Sequence, residues 1–119
     1  MGNEVFDITE ALLRTDGDME LFQELAGIFL ENYSKQLADV ENAIEKNDRN
    51  ALESAAHSIK GSVGVFCAKP ALEAALELEI MGRENNLSGA YEAYKVLSIE
   101  IERLRRALET IDDWTEPEI

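Results

Sequence analysis

The chain has a single histidine, His57, in the segment Ala56-His57-Ser58-Ile59-Lys60-Gly61-Ser62-Val63-Gly64. Successive residues of an α-helix turn by about 100°. On that geometry Asn50, Glu53, Ser54, Lys60, Gly61, Gly64 and Ala68 fall within roughly 60° of His57. Leu52, Ala55, Ile59 and Phe66 fall near the opposite side. The imidazole therefore shares a face with polar or very small residues, and the core is supplied without it. Each glycine costs a helix interior on the order of 1 kcal/mol relative to alanine, so Gly61 and Gly64 ask for a reason. They clear a shallow space in which a flat partner surface can approach the ring. Close packing of a neighbouring helix is the structural alternative, and it conflicts with Lys60 and Glu53 on the same face. Lys60, one turn from His57, does not favour a metal or a bound cation. It favours an anion carried on the imidazole, and phosphate fits that description. Histidine can act as a nucleophile, and phosphoryl transfer asks a protein mainly for positioning and charge compensation.

The elements that must hold this face are helical. Leu, Ala and Glu dominate, Pro is rare (2 residues), and strand-favouring runs are absent. Asp7-Ile8-Thr9-Glu10 has the form of a capping box and predicts a short helix from Asp7 to Arg14, with Ile8, Leu12 and Leu13 on one side. Asp18 caps the next helix, in which Phe22, Leu25, Phe29, Tyr33, Leu37, Val40 and Ile44 recur at helical steps. Its length predicts a break near Asn32 to Ser34. Asp48 caps a helix from Arg49 to Ala68, with Leu52, Ala55, Ile59, Val63 and Phe66 as its core face. Lys69-Pro70 stops it and opens another to Glu84, carrying Leu72, Ala75, Leu76, Leu78 and Met81. Ser88 is the expected cap of the last helix, where Ala90, Tyr94, Leu97, Ile101, Leu104, Leu108 and Ile111 step by four and three. The tail 112–119, with Trp114, is expected to fray. Short loops make neighbours antiparallel. The prediction is an all-α, antiparallel up-down four-helix bundle with one or two short additional N-terminal helices, forming one domain over residues 1–119.

Composition narrows the partners. With 11 basic and 25 acidic side chains the net charge is −14, which repels phosphate backbones and anionic membranes. Nucleic acid and membrane are therefore not expected partners. Cys67 is the sole cysteine, so no internal disulfide and no cysteine-based metal site forms, and a buried inert thiol is expected. There is no signal-peptide pattern and no apolar run of membrane-spanning length. A cytoplasmic monomer is the expectation.

The segment His57-Ser58-Ile59-Lys60-Gly61-Ser62 resembles the His-x-x-Lys-Gly-Ser signature of histidine-containing phosphotransfer (HPt) domains. Phe6-Asp7, Leu12-Leu13-Arg14 and Asp18-Met19-Glu20-Leu21-Phe22 resemble that family's opening. Phe29 to Leu37 and Ala43 to Asp48 resemble the stretch before the active helix, and Leu78-Glu79 with Gly82-Arg83 the helix after it. Two positions depart from the family: Cys67, where a second glycine is frequent ten residues after the histidine, and Ser34, where a proline often breaks the long helix.

The resemblance implies a phosphorelay intermediate of two-component signal transduction. His57 would accept a phosphoryl group from a receiver-domain aspartate or a histidine kinase and pass it to a response regulator. Lys60 would neutralise or orient the phosphoryl group. Gly61, Gly64, Ser54 and Ser62 would form the docking surface and the clearance around His57. By the family pattern the attacking atom is Nε2. No P-loop or kinase glycine loop is present, so the chain is expected to be a carrier and not an enzyme. No cofactor and no metal site are expected on it; the receiver would bring Mg²⁺. The alternative is a structural or adaptor bundle whose acidic surface binds a basic partner, with His57 incidental. A metal-dependent hydrolase is disfavoured, because one histidine without a His/Glu pair at ligand spacing makes a poor site.

Overall fold

Among the described residues three that are not glycine are left-handed: Asn47 (φ 54°), Cys67 (φ 54°) and Asn85 (φ 57°). The computed structural model describes residues 17–109, and four helices fill most of that span. They are α1 (Met19–Glu45), α2 (Arg49–Gly64), α3 (Lys69–Arg83) and α4 (Ala90–Glu109). Among the described residues there is no strand. Each left-handed residue closes one helix in a Schellman motif. Asp48 N–H donates to Ala43 O and Asn47 N–H to Ile44 O. Ala68 N–H to Val63 O with Cys67 N–H to Gly64 O, and Asn86 N–H to Met81 O with Asn85 N–H to Gly82 O, repeat the pattern. Carbonyls left unpaired at the helix end are thereby satisfied, and the chain turns back at once. Loops of three, four and six residues then leave only antiparallel neighbours.

Starts are as sharply marked as stops. Asp18 Oδ1 accepts from Leu21 N–H at 3.0 Å, and Asp48 Oδ1 accepts from Ala51 N–H at 3.1 Å. Pro70 occupies the first turn of α3, where its missing N–H costs nothing. Ser88 does not cap α4. Its hydroxyl donates to Asn86 Oδ1 at 3.1 Å, and Ala93 N–H takes the Gly89 carbonyl instead. The short helix expected over Asp7–Arg14, Ile111, and the tail with Trp114 lie outside the described residues.

The helices form a ring in which α1 packs on α2, α2 on α3, α3 on α4 and α4 back on α1, with α2–α3 the most extensive contact. Phe66, in the turn just after α2, sits edge-on to Phe22 and Phe29 of α1, ring centres 5.6 and 5.8 Å apart. Leu52, Ile59 and Val63 of α2, Leu78 of α3, and Leu97, Ile101 and Leu104 of α4 complete the sealed core.

Three expectations are corrected. The break near Asn32 to Ser34 does not occur. α1 is one helix of 27 residues, about 40 Å long at 1.5 Å per residue. Asn32 keeps its side chain on the helix, donating to Ile28 O at 2.7 Å, and no Pro lies in α1 to force a kink. Second, α2 stops at Gly64, so Ala68 is a fully buried residue before α3 and not part of the histidine face. Third, Ala56, not Ala55, is the buried alanine of α2, while on α3 the buried stripe is Ala71, Ala74, Ala75, Leu78, Glu79 and Gly82, with Leu76 exposed.

Candidate functional site

His57 lies midway along α2 with its ring 68% exposed. The ring is nonetheless anchored. Its Nδ1 is 2.9 Å from Glu79 Oε2 on α3, and the Glu79 side chain is only 6% exposed. Lys60 Nζ is 2.7 Å from Glu79 Oε1, so both groups one turn apart on α2 converge on one carboxylate. Arg83, four residues on from Glu79, places NH2 3.3 Å from Oε2 and Nε 3.4 Å from Glu53 Oε2. One buried carboxylate thus gathers an imidazole, an ammonium and a guanidinium.

This neighbourhood fixes the chemistry of the ring. The ammonium of Lys60 chiefly, and His57 after it, hold the Glu79 carboxyl below the ordinary glutamate range against the opposing effect of burial. An ionised carboxylate only accepts hydrogen bonds. Nδ1 is therefore the donor to Glu79, and in the neutral ring this leaves the lone pair on Nε2, on a side chain that is 68% exposed.

The spacing of α2 and α3 is set by Gly82. A Cβ there would lie 2.7 Å from Glu53 N and 2.8 Å from Arg49 O. The two backbones meet at this point, and no other residue type fits without spreading the helices. Glu79 is one turn before that contact, which brings its carboxylate under His57.

The expected site residues divide. Gly61 is exposed, and a Cβ there would meet nothing within 4 Å, so it clears open space beside the ring. Ser54 is exposed and lines the same shallow cleft as His57, Glu53, Ser58 and Glu79. Gly64 is half-buried, and a Cβ there would lie 3.4 Å from Leu72 Cδ1 of α3, so it borders the α2–α3 contact as well as the histidine face. Ser62 turns away from His57 toward α1, where its hydroxyl accepts from Gln36 Nε2 at 3.0 Å. It lines a groove of about 430 Å³ between α1 and α2, with Leu25, Ile28, Phe29, Val65 and Phe66. Ser58, next to His57, lines both that groove and the histidine cleft.

Sequence reasoning missed Glu79 as a site residue, and Arg83 with it. A signal was present: Glu79 falls on the stripe of Ala71, Ala75, Leu78 and Gly82, where a carboxylate has no place in a core. Among the described residues no group of three His, Cys, Asp or Glu side chains could hold a metal ion, and no helix is long and apolar enough to cross a membrane.

A helical bundle with an outward-facing histidine on its second described helix matches a known class. The model of the Hpt domain family matches residues 24–113, and the chain belongs to that family of histidine-containing phosphotransfer domains, phosphorelay modules of two-component signal transduction. Its members are phosphocarriers, not kinases, and their partners are receiver domains and histidine kinases. The crystal structure of histidine-containing phosphotransfer protein B (HptB) from Pseudomonas aeruginosa PAO1 is similar in fold. Its TM-score is 0.84 at 20% sequence identity, covering 93% of this chain and 97% of that one. No curated protein sequence matches the chain.

Proposed function

We propose that His57 is the phosphoacceptor of this phosphorelay domain. The observation that carries the proposal is the anchored, exposed ring: Nδ1 donates to the buried Glu79 carboxylate, which leaves the Nε2 lone pair free at the surface. Nε2 attacks the phosphorus of a receiver aspartyl phosphate in line. The N–P bond forms as the P–O bond to the aspartate breaks, and that electron pair stays on the carboxylate oxygen. The same steps in reverse pass the phosphoryl group to a response regulator.

Lys60 compensates phosphoryl charge from one turn away. Its side chain is 29% exposed, and its ammonium shares the Glu79 carboxylate with the ring. Gly61 and Ser54 leave the ring accessible to a flat receiver surface. The groove between α1 and α2, joined to the histidine cleft at Ser58, offers the apolar part of the docking surface. Mg²⁺ belongs to the receiver, whose aspartates hold it, and this chain needs no cofactor. The domain works as a monomer in the cytoplasm, and its net charge of −14 keeps it from nucleic acid and anionic membranes.

Incubation with a phosphorylated receiver domain tests the proposal. Acid-labile phosphate should appear on the wild-type chain and be absent from His57→Gln; label that persists in the variant would refute it.

A further inference from the structure

We propose that the outer face of α4 is a contact surface for a second copy of this chain, paired antiparallel about a two-fold axis. The surface lies apart from the histidine site, and the proposal does not depend on His57.

Ile99 (59%) and Val96 (52%) are, with Ile28, the most exposed large hydrophobic side chains among the described residues. A lone exposed aliphatic needs no explanation, but two on neighbouring turns of one helix make a small patch. Successive residues turn by about 100°, which puts Glu92 and Arg103 close to the line midway between Val96 and Ile99. The stripe Glu92, Val96, Ile99, Arg103 thus steps by four, three and four. Ala93, Leu97, Ile101, Leu104 and Leu108 fill the buried side of the same helix. Because α4 packs on α3 and α1, its outer face lies across the bundle from α2.

The order of charges along the stripe selects the occupant. An acid stands at its N-terminal end, a base at its C-terminal end, and two aliphatics between. A two-fold contact brings one patch against itself, so the patch must be its own complement. Centred between Val96 and Ile99, an antiparallel pair sets Val96 on the second copy's Ile99 and Glu92 opposite the second copy's Arg103, at both ends at once. Arg106, one turn beyond Arg103, adds a cation beside the same carboxylate. A parallel pairing would set Glu92 against Glu92 and Arg103 against Arg103, and like charges repel. Within one chain, Lys95 Nζ is 3.5 Å from Glu92 Oε2 and Arg103 Nη1 is 3.2 Å from Glu100 Oε1. Exposed pairs of this kind contribute little, so sharing them across a contact costs little. A single helix seam buries less than the roughly 1,200 Å² of a stable complex. With a net charge of −14 on each copy, the pair is therefore weak and forms at high local concentration. Each copy keeps its own His57 site away from the seam, so transfer remains the work of one chain and two receivers can dock at once.

Sedimentation velocity of the full chain, from about 10 µM to about 1 mM at about 0.15 M salt, tests the pairing. The sedimentation coefficient should rise with concentration toward that of a dimer. Amide ¹⁵N–¹H shifts should move with concentration at Lys95–Arg103 and stay fixed around His57. Ile99→Ser should weaken the pairing at least about tenfold. Glu92→Arg and Arg103→Glu should each weaken it, and the double variant should regain it, because both ends have then exchanged charge. Residues 92 and 103 are too far apart along α4 to pair within one chain, so that rescue reads a contact between copies. All three positions are exposed, so the variants should fold, which thermal melts check. A coefficient that stays at the monomer value throughout overturns the proposal, whether residues 112–119 of the same chain cover the face or nothing does. A double variant no tighter than the single ones, or concentration-dependent shifts on another helix, overturns it equally.

Discussion

A glycine with nothing near its missing Cβ is a clean probe of what approaches from outside. Gly61 is such a residue, whereas Gly64 lies against Leu72. Gly61→Leu should therefore fold and melt no lower than wild type, since a helix interior gains roughly 1 kcal/mol when glycine is replaced. Transfer from a phosphorylated receiver should fall at least tenfold, while labelling by phosphoramidate continues; unchanged receiver transfer would show that the space beside His57 is not a docking clearance. Gly64→Leu should instead lower the melting temperature, because Leu72 must move. Glu79 makes a second prediction at this scale. Its folded pKa lies below the ordinary glutamate value, chiefly through Lys60, so its contribution to stability is fully present above that ordinary value. The contribution is lost as pH falls through the depressed folded pKa. Melting curves from neutral pH into acid should show a shallower acid limb for Glu79→Gln; an identical limb would mean that the ion cluster does not stabilise the fold. His57 and Gly61 were legible in the sequence because helical arithmetic depends only on neighbours within one helix. The bond from His57 to Glu79 spans 22 residues and two helices. No local pattern contains it, although the carboxylate on the apolar stripe of α3 marked where to look.

Helix ends and helix contacts carry the next set of consequences. Asparagine tolerates the left-handed conformation at Asn47 and Asn85 through its short polar side chain. Cys67 holds the same conformation without that help. The family's frequent glycine at this position is thereby explained as a backbone requirement of the turn between α2 and α3. Cys67→Gly should stabilise the domain by about 1 kcal/mol, visible as a rise of roughly 4–8 °C in melting temperature; a fall would show that the thiol's packing outweighs the backbone strain. Gly82→Ala should do the reverse. Its Cβ would meet the backbone of Arg49 and Glu53, which cannot rotate aside. A cost of about 2–3 kcal/mol is expected for such overpacking, read by chemical denaturation. The caps at Asp18 and Asp48 were legible because a capping side chain acts three residues away. The length of α1 was misread because a long periodic run suggests a break, yet Asn32 and Ser34 supply none of the chemistry that breaks a helix.

For the molecule as a whole, the ring of four helices places the histidine site on the α2–α3 side, while α4 packs on α3 and α1. Fold class and antiparallel order were readable from periodicity and short loops; the close approach of α2 to α3 was not, because it depends on which backbones touch. A net charge of −14 on a domain this small repels itself. Moderate salt should raise the melting temperature by screening that repulsion; a fall would show that attractive ion pairs outweigh it. The contact at Gly82 has a consequence for anyone who would move this chemistry elsewhere. Grafting the six residues from His57 to Ser62 onto the surface of another helical protein should yield an accessible histidine but a poor carrier. The host must also supply a second helix close enough for an acid to reach the ring. The smallest transplantable unit is a pair of helices seated on one glycine.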